Sequence, residues 1–271
     1  MSERDGYEHG VPCWVDTWRD DPAPAAEFYT GIFGWELEGF DPSASEQYVI
    51  AKLRGRDVAA IGSPRPPAAK DAPVGWTTYV WVDDAEEIAA KVSKAGGTVL
   101  AEPFDSLDGG LLTIIAGPEG AVLGAWQAGD HRGAELVNEP SAWSMSFLST
   151  REPERAKEFY GAVFGWQTES FGPATMFRLP GYVGGEPQQP VPRDVIATML
   201  PLGDDAPGEV PDHWGVDFWV GDVDEVAEKT TALGGRVLSA PTAVPGTQLK
   251  QATIADPDGA SLSVTQLVVP D

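Results

Sequence analysis

Several residue types are scarce in this sequence of 271 residues, and each scarcity excludes a class of function. The single cysteine, Cys13, cannot form a disulfide within the chain or build a cysteine-based metal cluster. The three histidines, His9, His131 and His213, offer few nitrogen ligands for a metal ion. The 18 basic residues stand against 42 acidic ones. The formal charge of −24 repels phosphate groups, so we expect neither nucleic acid nor an anionic membrane as a partner.

Long apolar runs are also missing, since no stretch approaches the roughly 20 residues that span a bilayer. The first residues lack the basic start and apolar core of a signal peptide, so we expect a cytoplasmic protein. There is no phosphate-binding loop, no dinucleotide fingerprint and no serine nucleophile motif. The length exceeds the usual single-domain range of about 100–150 residues, which favours two domains.

An internal repeat is the strongest positive feature of the sequence. EFYTGIFGW at 27–35 matches EFYGAVFGW at 158–166, an offset of 131 residues. Trp76 matches Trp214 at an offset of 138, within GWTTYVWV and HWGVDFWV. Matches in the same order with a slowly growing offset indicate a duplication with small loop insertions. The repeat predicts one domain at 10–128, a second at 140–268, and a polar linker at 129–139 that we expect to be exposed.

Each copy reads as an α+β domain made of two β-α-β-β-β modules. Val11–Trp18 is typical of a strand, and a helix follows whose apolar residues recur at helical spacing up to Gly34. The same order begins again at Thr77–Val82, and the second copy repeats both modules. Since each module has one helix, we expect paired modules to form a curled, partly open sheet around a cavity.

The segments Pro24–Trp35, Trp76–Gly97 and Pro118–Gln127 resemble the vicinal-oxygen-chelate superfamily, which includes glyoxalases, bleomycin-resistance proteins and dioxygenases. More narrowly, the chain resembles two-domain actinobacterial glyoxalase-like proteins often labelled "hydroxylase" or 27-kDa antigen, at residues 13–16 (CWVD), 32–35 (IFGW) and 213–214 (HW). The resemblance covers nearly the whole chain. It implies small-molecule chemistry, and for some members a place in aromatic polyketide pathways.

The resemblance also implies four metal-ligand positions in each domain, filled by His, Glu or Gln. In the first copy these positions map to Trp14, a residue within 60–62, Thr77 and Gly124. In the second copy they map to Met145, a residue near Ala197, Gly215 and Ser263. Since these side chains are not the usual ligands of a divalent metal, we expect no metal and no other cofactor.

Aromatic residues stand where ligands are missing. Trp14, Asp16 and Trp18 share one face of the first strand because strand side chains alternate. We expect the ligand-binding residues to be Trp14, Trp18, Thr77, Trp126, Met145, Phe147 and Asp217. For most of the tryptophans a role in the core is the competing interpretation, and Trp76 and Trp81 cannot share a face. Cys13 should face the helix side as a small core residue.

Two residues are candidates for acid–base chemistry. Asp16 in an apolar pocket would have a raised pKa, although it could instead be a solvated rim residue. His213 could titrate near neutrality, although it could instead cap the start of a strand.

The sequence therefore predicts a metal-independent protein that binds a small, aromatic or polyketide-type molecule. It could be a tailoring enzyme or an accessory "hydroxylase" of secondary metabolism. Two alternatives stay open: a sequestering, resistance or sensing protein without catalysis, and a metal-dependent lyase or dioxygenase with shifted ligands. Paired domains in one chain mimic the dimers of single-domain relatives, so we expect a monomer or a homodimer.

Overall fold

A computed structural model describes residues 3–66, 74–106, 110–184, 192–203 and 210–268. The first copy contains β1 (Pro12–Trp18), α1 (Ala23–Phe33), β2 (Glu36–Leu37), β3 (Gln47–Leu53), β4 (Arg56–Ser63), β5 (Trp76–Trp81), α2 (Ala85–Lys94), β6 (Thr98–Asp105), β7 (Leu111–Ala116) and β8 (Val122–Gln127). The second copy contains β9 (Trp143–Thr150), α3 (Pro153–Phe164), β10 (Gln167–Phe171), β11 (Ala174–Arg178), β12 (Val195–Pro201), β13 (His213–Trp219), α4 (Val223–Ala232), β14 (Arg236–Ala243), β15 (Leu249–Ala255) and β16 (Ser261–Leu267).

Local chemistry sets the helix ends. The Asp84 carboxylate accepts the backbone N–H of Glu87 and caps α2, and Asp222 caps α4 in the same way. Gly34 and Gly165 end α1 and α3 with positive φ angles of 69° and 75°, a conformation that glycine adopts without steric cost.

Each copy forms one open sheet of eight strands. The strand order is β2-β3-β4-β1-β5-β8-β7-β6 in the first copy and β10-β11-β12-β9-β13-β16-β15-β14 in the second. The first strand of each module pairs in parallel with the last strand of the same module, as β1 does with β4 and β5 with β8. The central pair β1–β5 is antiparallel and joins the two modules. The α+β class with curled tandem sheets is confirmed.

The hydrophobic cores are shared between the copies. One core joins α1 residues such as Phe28 and Phe33 to Phe218, Val223 and Ile254 of the second copy. The other joins α2 and β8 of the first copy to α3 and β12 of the second. The first module therefore packs against the fourth, and the second against the third. Neither copy buries its helices alone, so we expect the two halves to fold together.

A buried ionic network also crosses between the copies. The Arg19 guanidinium donates to Asp256 Oδ2 over 2.5 Å, and the Tyr29 hydroxyl donates to the same oxygen over 2.8 Å. Arg19 and Asp256 are both 1% exposed. A buried carboxylate needs such partners, because an isolated buried charge is costly.

The segment between the copies is not the exposed linker that its composition suggests. Ala134, Leu136 and Val137 are all buried. The backbone N–H of Ala134 donates to the Cys13 carbonyl, and that of Glu135 donates to the Asp57 carbonyl. The segment thus lies between the starts of β1 and β4, where the two strands do not pair with each other.

In the described part of the chain, no helix is long and apolar enough to cross a membrane.

Candidate functional site

The open face of the first sheet is the face that carries no helix. Trp76 packs against Tyr29 and Trp35 and therefore lies on the helix side. Since Trp76 pairs with Thr17, alternation places Trp14 and Asp16 on the open face. Cys13 lies on the helix side as a fully buried free thiol, which matches the expected core role.

Asp16 is the centre of the open face. Its side chain is buried, with 2% exposed, so it is not a solvated rim residue. Oδ2 accepts hydrogen bonds from Tyr79 Oη at 2.9 Å, Trp18 Nε1 at 3.0 Å and Tyr48 Oη at 3.1 Å. Oδ1 is buried and has no hydrogen-bond partner among the described residues. One oxygen is thus held by three donors, and the other is left for a proton or for a ligand.

Burial raises the pKa of Asp16 to about 7, because removal from water disfavours the charged carboxylate. The hydrogen bonds from Tyr79, Trp18 and Tyr48, together with the nearby Thr77 hydroxyl, act in the opposite direction. The side chain is therefore divided between its two protonation states at neutral pH. A group with a pKa near the working pH can give or take a proton efficiently.

A histidine from the inter-copy segment packs into this aromatic surface. The His131 ring meets Trp14 edge-on at 4.5 Å and stacks on Trp126 at 5.3 Å. Its Nε2 lies 3.3 Å from Asp57 Oδ2. Trp14 in turn donates to the Tyr48 hydroxyl over 2.8 Å. The sequence did not predict this role, because His131 lies in a polar segment. The burial of Ala134 and Leu136 holds that segment against the sheet and so brings the imidazole to the tryptophans.

Glycines make room for two of the rings. The Tyr79 ring lies on Gly124, where a Cβ would be 2.1 Å from Tyr79 Cδ1. The Trp18 ring lies on Gly62, where a Cβ would be 2.5 Å from Trp18 Cε3. Any larger side chain at Gly124 would displace Tyr79 from Asp16. The Gly124 position is thus filled by a neighbouring ring instead of a metal ligand.

The strand register places Tyr79, and not Thr77, at the β5 position where a metal ligand was expected. Trp14 pairs with Tyr79, and Tyr79 pairs with Gly124, so these three residues form one row across the sheet. Thr77 lies in the next row, opposite Asp16, and its hydroxyl helps to lower the pKa of that carboxyl group. The sequence pattern did not identify Tyr79 as a site residue, although the offset of 138 maps it onto Asp217, an expected ligand-binding residue.

An apolar wall lies in the row beside that of Tyr79 and Gly124 and continues across the sheet to β6. Trp81 pairs with Trp126, Trp126 with Leu112, and Leu112 with Phe104. Phe104 is 44% exposed, and Trp81 and Leu112 are half-buried. Trp126 is buried, and its Nε1 has no acceptor among the described residues. The first open face thus combines a flat apolar surface with polar groups that lack partners.

The second copy places its candidate residues on a separate open face. Met145 pairs with Asp217, and Asp217 pairs with Ser263. Asp217 is 6% exposed and accepts from Thr265 Oγ1 at 2.6 Å and Ser144 Oγ at 2.8 Å. Its pKa is raised because burial outweighs these hydrogen bonds. Phe147 packs on Gly215 beside this row.

His213 lies away from Asp16. It begins β13, pairs with Ser149, and its Nδ1 is 2.9 Å from the Pro211 carbonyl oxygen. No contact joins it to Asp16 in the described structure. The two candidate catalytic residues therefore belong to different sheets and are not brought together.

The donor sets of the two rows do not fit a divalent metal. Trp14, Tyr79 and Gly124 supply no imidazole or carboxylate, and the equivalent row of the second copy supplies only the Asp217 carboxylate. Within the described residues, no group of three or more His, Cys, Asp or Glu side chains is placed to hold a metal ion. Structural or catalytic sites need several such donors converging on one point.

The chain matches known families over both copies. Residues 14–124 match a model described as the Glyoxalase/Bleomycin resistance protein/Dioxygenase superfamily, and residues 145–265 match a Glyoxalase-like domain. The chain is 38% identical over 269 residues to "Putative glyoxylase CFP32" of Mycobacterium tuberculosis, covering 97% of both. It is 30% identical over 272 residues to "Anthracycline biosynthesis protein DnrV" of Streptomyces peucetius, covering 96% of this chain and 94% of the relative.

Solved structures share the fold at low identity. The Mn(II)-bound glyoxalase of Novosphingobium aromaticivorans superimposes with a TM-score of 0.65 at 15% identity, covering 96% of this chain and 83% of that one. The 2,3-dioxygenase LapB of Pseudomonas sp. KL28 gives a TM-score of 0.63 at 13% identity, covering 98% and 96%. The tandem curled-sheet architecture is therefore common to these proteins.

Proposed function

Because the chain belongs to the glyoxalase/bleomycin resistance protein/dioxygenase superfamily, we propose that its first open face binds a small aromatic molecule of the polyketide type without a metal ion. The observation that carries the proposal is the buried Asp16. One of its oxygens is held by three donors, and the other is unpartnered. It lies in the same face as the wall formed by Trp81, Trp126, Leu112 and Phe104.

The chemistry of this face favours a flat ligand that carries oxygen atoms. The wall offers dispersion contacts and stacking, which flat rings exploit best. The neutral Asp16 can donate a hydrogen bond through Oδ1, and Trp126 Nε1 can donate a second. A polycyclic phenol or quinone presents acceptors beside an apolar ring system. The relative named for anthracycline biosynthesis supports the same ligand class.

His131 indicates where such a ring would sit. Its imidazole already occupies an aromatic environment between Trp14 and Trp126. A flat ligand would stack on the same tryptophans, either beside the imidazole or in its place. Binding should therefore change the environment of both tryptophans and quench their fluorescence.

Titration with 1,4-dihydroxyanthraquinone, followed by tryptophan fluorescence and calorimetry, tests the proposal. We expect saturable binding that Trp126→Phe and Asp16→Leu weaken, because the first variant removes the indole N–H and the second removes the carboxyl donor. Thr231→Val, at an exposed position on α4, is the matched control and should bind as the native protein does. Equal binding by all three variants and the native protein would refute this location of the site.

The pKa of Asp16 separately favours a tailoring reaction in which this residue moves a proton on the bound ring. Incubation of the quinone with the protein in D2O distinguishes this reaction from simple sequestration. Exchange of the ring hydrogens ortho to the hydroxyl groups, C2–H and C3–H, that requires Asp16 would indicate catalysis. Tight binding without exchange would indicate a sequestering or sensing protein.

A further inference from the structure

The two open faces contain equivalent rows of residues, but these rows are apolar in the first copy and polar in the second. In the first copy, Trp81 is followed across the sheet by Trp126, Leu112 and Phe104. In the second copy, the equivalent row runs from Trp219 through Thr265 and Gln251 to Thr242. The tryptophan at the head of the row is kept, and the three apolar residues are replaced by hydrogen-bonding ones.

The neighbouring row shows the same replacement. In the first copy it contains Tyr79, Gly124, Ile114 and Ala101. In the second copy it contains Asp217, Ser263, Thr253 and Ser239. Seven substitutions in two adjacent rows all change an apolar or small residue to a hydroxyl or amide, or a ring to a carboxylate. Solvation of an outer surface does not explain the inner members, because Asp217, Ser263 and Thr265 are at most 6% exposed.

The inner polar groups form a fixed network. Asp217 Oδ1 accepts from Thr265 Oγ1 at 2.6 Å, and Gln251 Nε2 donates to Thr265 Oγ1 over 3.1 Å. Asp217 Oδ2 accepts from Ser144 Oγ. Gln251 Nε2 also donates to Asp217 Oδ1 over 3.4 Å, and the exposed Gln251 retains its carbonyl oxygen for a ligand. The network orients donors and acceptors before any ligand arrives.

A cleft at the start of β9 adds buried polar groups without partners. It has a volume of about 50 Å³, and its lining includes Ser144, Met145, Asn138 and Trp143 together with residues of the first copy such as Tyr7. Trp143 is 4% exposed, yet its Nε1 has no acceptor, and Asn138 Oδ1 has no donor within the described structure. An unpartnered buried donor is costly and favours an occupant that supplies the missing bond. Ser144 and Met145 connect this cleft with the Asp217 network.

We propose that the second open face is a separate binding site for a neutral, polyhydroxylated molecule of the carbohydrate class. Trp219 would offer the ring on which the apolar side of a pyranose stacks. Gln251, Thr242 and the Asp217 network would bind hydroxyl groups, which can both donate and accept. The two copies then bind different partners, a flat apolar ring in the first and a polyol in the second. This inference does not rest on the proposed function of the first face.

NMR titration of the 15N-labelled protein tests the site. The probes are methyl β-D-glucoside, methyl β-D-galactoside and methyl α-L-rhamnoside, with cyclohexanol as a ring that lacks the array of hydroxyls. We expect at least one glycoside to shift the Trp219 indole and Gln251 amide signals, and cyclohexanol to leave them unchanged. Gln251→Leu, which copies Leu112 of the first face, should weaken binding about three- to tenfold.

Thr231→Val on the exposed surface of α4 is the control and should bind the glycoside normally. Absence of these shifts with all three glycosides overturns the proposal, as do equal shifts with cyclohexanol or unchanged affinity in Gln251→Leu. The quinone titration reports on the first face and the glycoside titration on the second. A negative result at one face therefore does not affect the interpretation of the other.

Discussion

The Tyr79 hydroxyl donates a hydrogen bond to Asp16 Oδ2 over 2.9 Å, from a ring that lies flat on Gly124. This contact lowers the pKa of Asp16, whereas burial raises it to about 7. Tyr79 and Asp16 therefore set together how much of the carboxyl group is neutral at physiological pH. Their relationship yields the first two predictions.

Tyr79→Phe should raise the pKa of Asp16 above about 7, because it removes one of the donors that stabilise the charged form. The measurement is the pH titration of the Asp16 carboxyl carbon by 13C NMR. Tyr182→Phe, which changes a tyrosine outside this network, should leave the titration unchanged. An unshifted or lowered midpoint in Tyr79→Phe would contradict the assigned role of the hydroxyl.

Asp16→Asn should remove a pH dependence of stability. The folded pKa lies above the unfolded one, so the neutral form favours folding, and stability is lost as the pH rises from about 4 through about 7. Between about pH 5 and pH 7 the native protein should lose about 2–3 kcal/mol relative to Asp16→Asn. Urea unfolding across this range checks the difference. Parallel curves for the two proteins would show that Asp16 is not buried as described.

Gly124→Ala should destabilise the protein by about 1–3 kcal/mol, because its Cβ would overlap the Tyr79 ring. Gly75→Ala is the matched control, since a Cβ there meets nothing within 4 Å. Thermal unfolding compares the two variants. If Gly124→Ala is as stable as Gly75→Ala, the ring does not lie on Gly124.

Arg19→Met should destabilise by about 3–5 kcal/mol, because Asp256 would be left buried without its cation. Tyr29→Phe removes a neutral donor from the same carboxylate and the acceptor of Trp76 Nε1, and should cost less, about 1–3 kcal/mol. Urea unfolding should show one transition in both variants, since the cores are shared between the copies. Two separate transitions would mean that the copies fold independently.

Much of the fold could be predicted because its signals are local. The helical spacing of Phe28 and Ile32 and the stop at Gly34 predict α1, and the ordered matches between the copies predict the tandem modules. Alternation along β1 correctly placed Trp14, Asp16 and Trp18 on one face. Each of these features depends on residues that are close in sequence.

The rest of the site depends on contacts between distant residues. Tyr48 and Tyr79 reach Asp16 from β3 and β5, so their role follows only from the register across four strands. His131 enters the first face because the segment between the copies packs into the gap between β1 and β4. The composition predicted an exposed segment, because its few apolar residues, such as Leu136, stand among polar ones in the sequence.

The most direct test of the central claim is quinone binding measured before and after exhaustive dialysis against EDTA, with elemental analysis of the same samples. We predict the same affinity in both samples, no stoichiometric metal in either, and weaker binding in Asp16→Leu. Loss of binding after dialysis, restored by about one divalent metal ion per domain, would contradict the account and return the first face to metal-dependent chemistry.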